Sequence, residues 1–238
     1  MKTRRSAQPA TGAAALRILD TPLTVIDFET TGLMAGVDRV VEVCVSRIEP
    51  GQPPKIVLDT LINPNRRMDA TFIHGITDAD VRHAPRFADI ASDFVDAISG
   101  SVVTAYNVNF DIRFLRDEMS RCGVLEAPPH LCLTYLKPML GLGNKCGLRE
   151  ACRELGITHT GEHFAAIDVA ASAEILVRYL EAIKVQEIHT FHDLARKKRY
   201  KFLESLKQEP FARSAERAPG MPHKSRRSKV KDHLEACA

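Results

Sequence analysis

Apolar positions along this chain follow two periods. Residues 23–28 (Leu-Thr-Val-Ile-Asp-Phe) and the valine- and isoleucine-rich run 37–48 read as strands. After the turn signal Glu49-Pro50-Gly51-Gln52-Pro53, a third extended run covers 55–62, so the pattern predicts a three-stranded meander. From Phe87 the period lengthens: apolar residues at 87, 90, 91, 94, 95 and 98 predict a helix that Ser99-Gly100 ends. A strand over 102–106 follows, then a helix over 107–121 with Phe110, Phe114, Leu115 and Met119 as its apolar face and Gly123 as its stop. A short strand at 131–133 and short helices at 135–140 and 148–155 lead to the clearest helix, 166–184. Its stripe of Asp168, Ala171, Ser172, Ile175, Tyr179 and Ile183 sets one carboxylate on an otherwise core-facing side. A last, basic amphipathic helix is expected from 187 to about 207, and beyond Pro210 the Pro, Ser, Lys and Arg content predicts disorder.

This order of elements describes an α/β domain with appendages: a flexible basic tail over 1–20, a central domain over 21–186, a basic helical extension over 187–209 and a disordered basic tail over 210–238. The 238 residues, 45% of them apolar, suffice for a sizeable core. The longest apolar stretches are far short of a bilayer span, so a transmembrane reading fails on length and no membrane partner is expected. Six cysteines without a CxxC pair offer no zinc site or disulfide framework, and reduced thiols in a cytoplasmic protein are expected.

The net charge of +3 hides a division. Residues 187–238 carry 13 basic against 7 acidic side chains and residues 1–20 carry 4 against 1, so residues 21–186 carry 16 against 22. An acidic core between cationic ends fits a polyanionic substrate, although basic tails are often merely solvating.

The candidate chemistry starts at Asp27 and Glu29. In an extended strand their side chains share one face, roughly 6–7 Å apart along the chain, which suits joint binding of divalent cations. Burying such a pair is costly unless something positive lies between them. Asp111, His163 and Asp168 also stand at element ends. Four of the five have a plain structural reading when taken alone: Asp27 and Glu29 as strand-end turn formers, Asp111 as a first-turn helix acid favoured by the dipole, His163 as a loop histidine; Asp168, on an apolar face, is harder to explain structurally.

Taken together, the blocks Val25-Ile26-Asp27-Phe28-Glu29-Thr30-Thr31-Gly32-Leu33, Tyr106-Asn107-Val108-Asn109-Phe110-Asp111 and His163-Phe164-Ala165-Ala166-Ile167-Asp168 resemble the three exonuclease motifs of the DEDDh superfamily. That superfamily includes the proofreading subunit of bacterial replicative DNA polymerase, ribonuclease T and oligoribonuclease. The resemblance covers roughly residues 21–184 and implies a ribonuclease-H-like fold, with a five-stranded mixed sheet, its first three strands antiparallel, flanked by helices. It further implies 3′ to 5′ exonuclease activity, with Asp27, Glu29, Asp111 and Asp168 as ligands of two Mg²⁺ or Mn²⁺ ions and His163 as general base. The chemistry agrees. Hard carboxylates favour these ions, two of which about 3.5–4 Å apart lower the barrier to phosphodiester attack, and a histidine with an unperturbed pKa of about 6.5 is suited to accept a proton near neutral pH.

By the same resemblance Thr30, Gly32, Leu33, Asn107 and Phe110 neighbour the terminal nucleotide, with turn formation and core packing as the alternative. His74, in Ile73-His74-Gly75-Ile76-Thr77, either lines the site or belongs to a turn leading into a helix capped by Thr77. Two features depart from the family pattern: Tyr106 stands where many members have histidine, and the C-terminal extension matches no polymerase-binding tail. Single-stranded or frayed DNA 3′ ends are the first expected substrate, and RNA ends the alternative. A non-catalytic nucleic-acid-binding or scaffold module is the rival from another class. Residues 187–238 are expected either to hold the substrate strand or to dock a DNA polymerase or other replication or repair protein. The apolar positions Ile188, Phe191, Leu194, Phe202, Leu203 and Leu206 are equally suited to packing on the catalytic domain.

Overall fold

A computed structural model describes residues 10–161, 164–198 and 201–212. Strands β1 (Leu23–Thr30), β2 (Val40–Ile48) and β3 (Lys55–Leu61) form the expected antiparallel meander. Two four-residue helices, α1 (Thr71–His74) and α2 (Asp78–Val81), precede α3 (Phe87–Ile98). Then come β4 (Val102–Ala105), α4 (Val108–Arg121), β5 (His130–Cys132), α5 (Leu133–Met139), α6 (Leu148–Leu155), α7 (Ala165–Val185) and α8 (Phe191–Lys197). The sheet order is β3-β2-β1-β4-β5, with β4 parallel to both β1 and β5. This is the five-stranded mixed sheet of the ribonuclease-H-like class.

Strand pleating divides the core into two layers. Leu23 and Val25 of β1 belong to a buried cluster with α5, α6 and α7, whereas Ile26 and Phe28 belong to one with α3 and α4. Successive side chains on a strand face opposite sides, so Asp27 and Glu29 fall on the α7 side. Helix α7 is fixed there by Ala171, Ile175, Tyr179 and Ile183, each at most 3% exposed. The stripe read from the sequence is therefore the buried seam of this helix, and Asp168 sits in its first turn.

Both ends of the central domain depart from expectation. Residues 1–9 lie outside the described residues, but residues 10–20 are packed: two short 3₁₀ helices cover Gly12–Ala15 and Ile18–Asp20, with Ala13 and Ile18 buried. The helix expected over 187–207 is interrupted. Thr190 opens α8, its hydroxyl accepting from the Asp193 amide at 3.1 Å, and a 3₁₀ helix spans Lys201–Lys207, with residues 199 and 200 outside the described set. Ile188, Phe191, Leu194, Leu203 and Leu206 are buried in the same cluster as α7, so these apolar positions complete the core of the central domain.

The two terminal segments also bond to each other. The Ala13 amide donates to the Gln208 carbonyl at 2.8 Å, and a Cβ on Gly12 would meet the Lys207 carbonyl oxygen at 2.2 Å, so only glycine permits this approach. Ser205 hydrogen-bonds both backbone groups of His130, covering part of the open edge of β5 that would otherwise invite strand pairing. The tail expected over 210–238 lies, from residue 213, outside the described residues. Among the described residues no helix is long and apolar enough to cross a membrane.

Candidate active site

The site forms where β1, β2, α4 and α7 converge. Parallel pairing sets Val25 of β1 beside Thr104 of β4, so the chain leaving β4 turns into α4 next to the end of β1. Asp111, in the first turn of α4, is 3% exposed. Asp27, Glu29 and Asp168 each offer a carboxylate oxygen, and these atoms lie within 4.8 Å of one another.

The electrostatics of the group are self-repelling. Burial, then the charges of Asp111, Glu29, Asp168 and Glu42, raise the Asp27 carboxyl well above the usual carboxylate range. Glu29 is pushed up to about 8 by burial and by Glu42, Asp168 and Asp111. Asp111 rises to about 7, burial outweighing hydrogen bonds from its own amide and that of Phe28. Its Oδ1 is buried with no hydrogen-bond partner among the described residues. A buried carboxyl oxygen without a donor, beside three converging acidic side chains, is the donor set that a hard divalent cation satisfies, and the residues present fit such an ion.

Two further residues of this centre were not picked out from the sequence. Glu42 lies directly across from Glu29 in the β1–β2 register and is 3% exposed. Its Oε2 accepts the Ala165 amide at 3.1 Å, tying β2 to the first residue of α7. Burial pushes its carboxyl up to about 7, against the lowering effect of that hydrogen bond. The available signal was a lone acid inside the apolar run Val40-Val41-Glu42-Val43. The second residue is His159, whose Nε2 lies 2.6 Å from Asp168 Oδ1 and whose side chain is 3% exposed. Nothing local in its sequence marks it, because the contact is made only by the fold.

The other expected site residues divide by position. Thr30 is buried and its hydroxyl donates to the Gly32 carbonyl at 2.6 Å. Gly32 is required by close approach, since a Cβ there would lie 2.5 Å from Asp38 Oδ2. Asp38 in turn accepts from the Thr31 hydroxyl and the Met34 amide, which shapes the loop after β1. That loop presents Leu33, 70% exposed, to solvent. His74 is buried: its Nδ1 accepts from the Ile76 amide, so Nε2 carries the hydrogen toward the Thr30 carbonyl at 3.2 Å. It therefore reaches the site through the Thr30 backbone, and Thr77 opens α2 as the turn reading expected. Asn107 is exposed at the start of α4, whereas Phe110 is half-buried against Phe114, with ring centroids 4.9 Å apart. Tyr106 places its hydroxyl 2.9 Å from the carbonyls of both Cys146 and Gly147, anchoring the loop before α6. His163 lies outside the described residues.

The architecture recurs in known exonucleases. Exonuclease X in complex with 5′-overhanging duplex DNA superposes with a TM-score of 0.56 at 23% identity, over 74% of this chain and 99% of that one. Escherichia coli Exonuclease I in complex with a dT13 oligonucleotide gives 0.53 at 20% identity, over 70% and 42%. At these identities the likeness concerns the fold, which is ribonuclease-H-like.

The family follows from sequence. The RNase_T family model, described as an exonuclease, matches residues 24–176, and the chain belongs to that family. A DNA polymerase III subunit epsilon-like protein of Rhodobacter capsulatus is 36% identical over 186 residues, 73% of this chain and 26% of that protein. The DNA polymerase III subunit epsilon of Treponema pallidum is 35% identical over 159 residues, 64% of this chain and 73% of that protein. The chain thus spans about a quarter of the length of the first relative and nearly three quarters of the second.

Proposed function

We propose that this protein is a metal-dependent 3′ to 5′ exonuclease of the DEDDh type, releasing 5′-mononucleotides from single-stranded or frayed DNA ends. The observation that carries the proposal is the meeting of Asp27, Glu29 and Asp168 oxygens within 4.8 Å, in a group whose neighbouring charges are themselves acidic. Asp27, Glu29, Asp111 and Asp168 would hold two Mg²⁺ or Mn²⁺ ions. Bound there, such ions would offset the charge of a phosphodiester and so favour attack of water at phosphorus with departure of the 3′ oxygen of the preceding nucleotide.

The chain's own residues orient and exclude. Burial of Asp111 and Glu29 keeps bulk water from competing for their oxygens. The Asp38-braced loop presents Leu33 to solvent, where an apolar side chain suits the face of a terminal base, and Asn107 stands exposed at the neighbouring strand end, where β4 runs into α4. His163, five residues before Asp168, takes the proton from the attacking water, a contribution of about 10²- to 10⁴-fold. The epsilon subunits among the relatives support DNA as the substrate and a DNA polymerase or other replication or repair protein as the partner of residues 187–238.

A time course on 3′-labelled and 5′-labelled single-stranded DNA and RNA, with Mg²⁺, Mn²⁺ or EDTA, tests the proposal. Early release of the label as mononucleotide from 3′-labelled DNA and stepwise shortening of 5′-labelled DNA, both abolished by EDTA, are expected. Release from RNA alone would make this an exoribonuclease, and no metal-dependent release from any substrate would leave only a binding module. His163→Ala at wild-type turnover would remove the general-base role.

A further inference from the structure

We infer that His159 is a positioning residue for Asp168: its imidazole fixes the plane of that carboxylate so that the other oxygen is presented to the cation site. The inference rests on the metal-dependent reading above. Helix α7 holds the Asp168 backbone through the Asp168 amide, which donates to the Phe164 carbonyl at 3.1 Å, and through the Glu42 contact at Ala165. Neither contact fixes the side-chain torsions of Asp168. The carboxylate repels the other acids of the cluster and is 15% exposed, so rotation toward water would relieve that repulsion. The 2.6 Å contact from Nε2 to Oδ1 opposes such a rotation.

Three observations make His159 suited to this task. The acceptor is a carboxylate, so the imidazole hydrogen belongs on Nε2. Nδ1 is buried and meets no hydrogen-bond partner among the described residues, and a buried acceptor without a partner is tolerated more readily than a buried N–H without one. The side chain is 3% exposed, so the ring is held by its surroundings rather than by Asp168 alone. A ligating carboxylate aimed by a buried donor is the arrangement whose loss typically costs roughly 10- to 100-fold in metal affinity.

Binding of Mn²⁺, read as loss of the free-ion electron paramagnetic resonance signal, tests this in the wild type, His159→Ala, His159→Gln and Asp168→Asn. Melting temperatures in EDTA are recorded alongside. The expected result is a Mn²⁺ affinity lowered about 10- to 100-fold in His159→Ala with its metal-free melting temperature retained. His159→Gln, which restores an N–H near the position of Nε2, should recover most of that loss. The half-saturating Mn²⁺ concentration for nucleotide release should move with the binding constant, while turnover at saturating Mn²⁺ changes less. Wild-type affinity in His159→Ala would overturn the assignment. If His159→Ala does not fold, the glutamine variant decides, and affinity as weak as that of Asp168→Asn would overturn it. A wild-type protein that neither binds Mn²⁺ nor releases nucleotide would instead sink the nuclease reading itself, so the two failures are distinguishable.

Discussion

Glu118 and Glu29 are both buried carboxylates, 1% and 8% exposed, and the fold treats them in opposite ways. Glu118, on the far part of α4, receives a two-point contact from Arg39, with Nε and Nη2 at 2.7 and 2.8 Å from its two oxygens. Its charge is balanced within the protein and clamps α4 to the start of β2, a fork geometry that rewards arginine over lysine. Glu29 faces Glu42 across the strand pair and Asp27 along its own strand, and the charges acting on it are acidic. A buried acid paired by its own chain is architecture. A group of buried acids set against one another keeps an unfavourable energy that an external cation can relieve.

Substitution should separate the two kinds of buried carboxylate. Asp27→Asn should lower nucleotide release roughly 10²- to 10³-fold, as removal of one preorganised electrostatic group does, without lowering the metal-free melting temperature. A melting temperature that falls sharply would mean that Asp27 is as structural as Glu118. Glu118→Ala should do the reverse. It strands Arg39, whose side chain is 24% exposed and so partly rescued by water, and should cost about 2–4 kcal/mol in urea unfolding while Mn²⁺ affinity is retained.

A subtler contrast lies in the pH dependence of the metal-free protein. Glu29 near 8 and Asp111 and Glu42 near 7 are raised above ordinary carboxylate values, so the native state holds protons that the unfolded chain has already released. Their stabilising contribution is complete below about pH 4 and is lost as pH rises through 7 to 8. Thermal melts in EDTA between pH 5 and 9 should therefore show falling stability, and Glu29→Gln should flatten the upper part of that slope. An unchanged slope in Glu29→Gln would show that this carboxylate is not among the strained ones. The smallest expected effect is at Tyr106, where Tyr106→Phe removes the hydroxyl contact with Cys146 and Gly147. It should cost about 0.5–1.5 kcal/mol by denaturant unfolding and leave Mn²⁺ affinity unaltered.

Residues that act through their own element were legible in the chain. The β1 pair could be read because strand period places Asp27 and Glu29 on one face, and Asp168 because it interrupts an apolar helical stripe. Glu42 was legible only as an oddity, since its importance comes from a cross-strand partner 13 residues away and from a helix start more than a hundred residues away. His159 left no local trace. The basic character of 187–207 drew attention to its exposed face, while Phe191, Leu194, Leu203 and Leu206 carried the information that mattered, namely that this segment completes the core.

By itself, then, the sequence determined the strand meander, the long core helix and which acidic residues belong to the cluster, because each follows from a short-range period or from a motif within a few residues. Only the tertiary structure decided that His74 serves a backbone carbonyl, that Glu42 and His159 reach α7, and that both terminal segments close on the sheet. Those decisions depend on which distant elements share a face. Burial then converts that juxtaposition into charge repulsion, hydrogen bonding or packing, none of which is encoded at the residue alone.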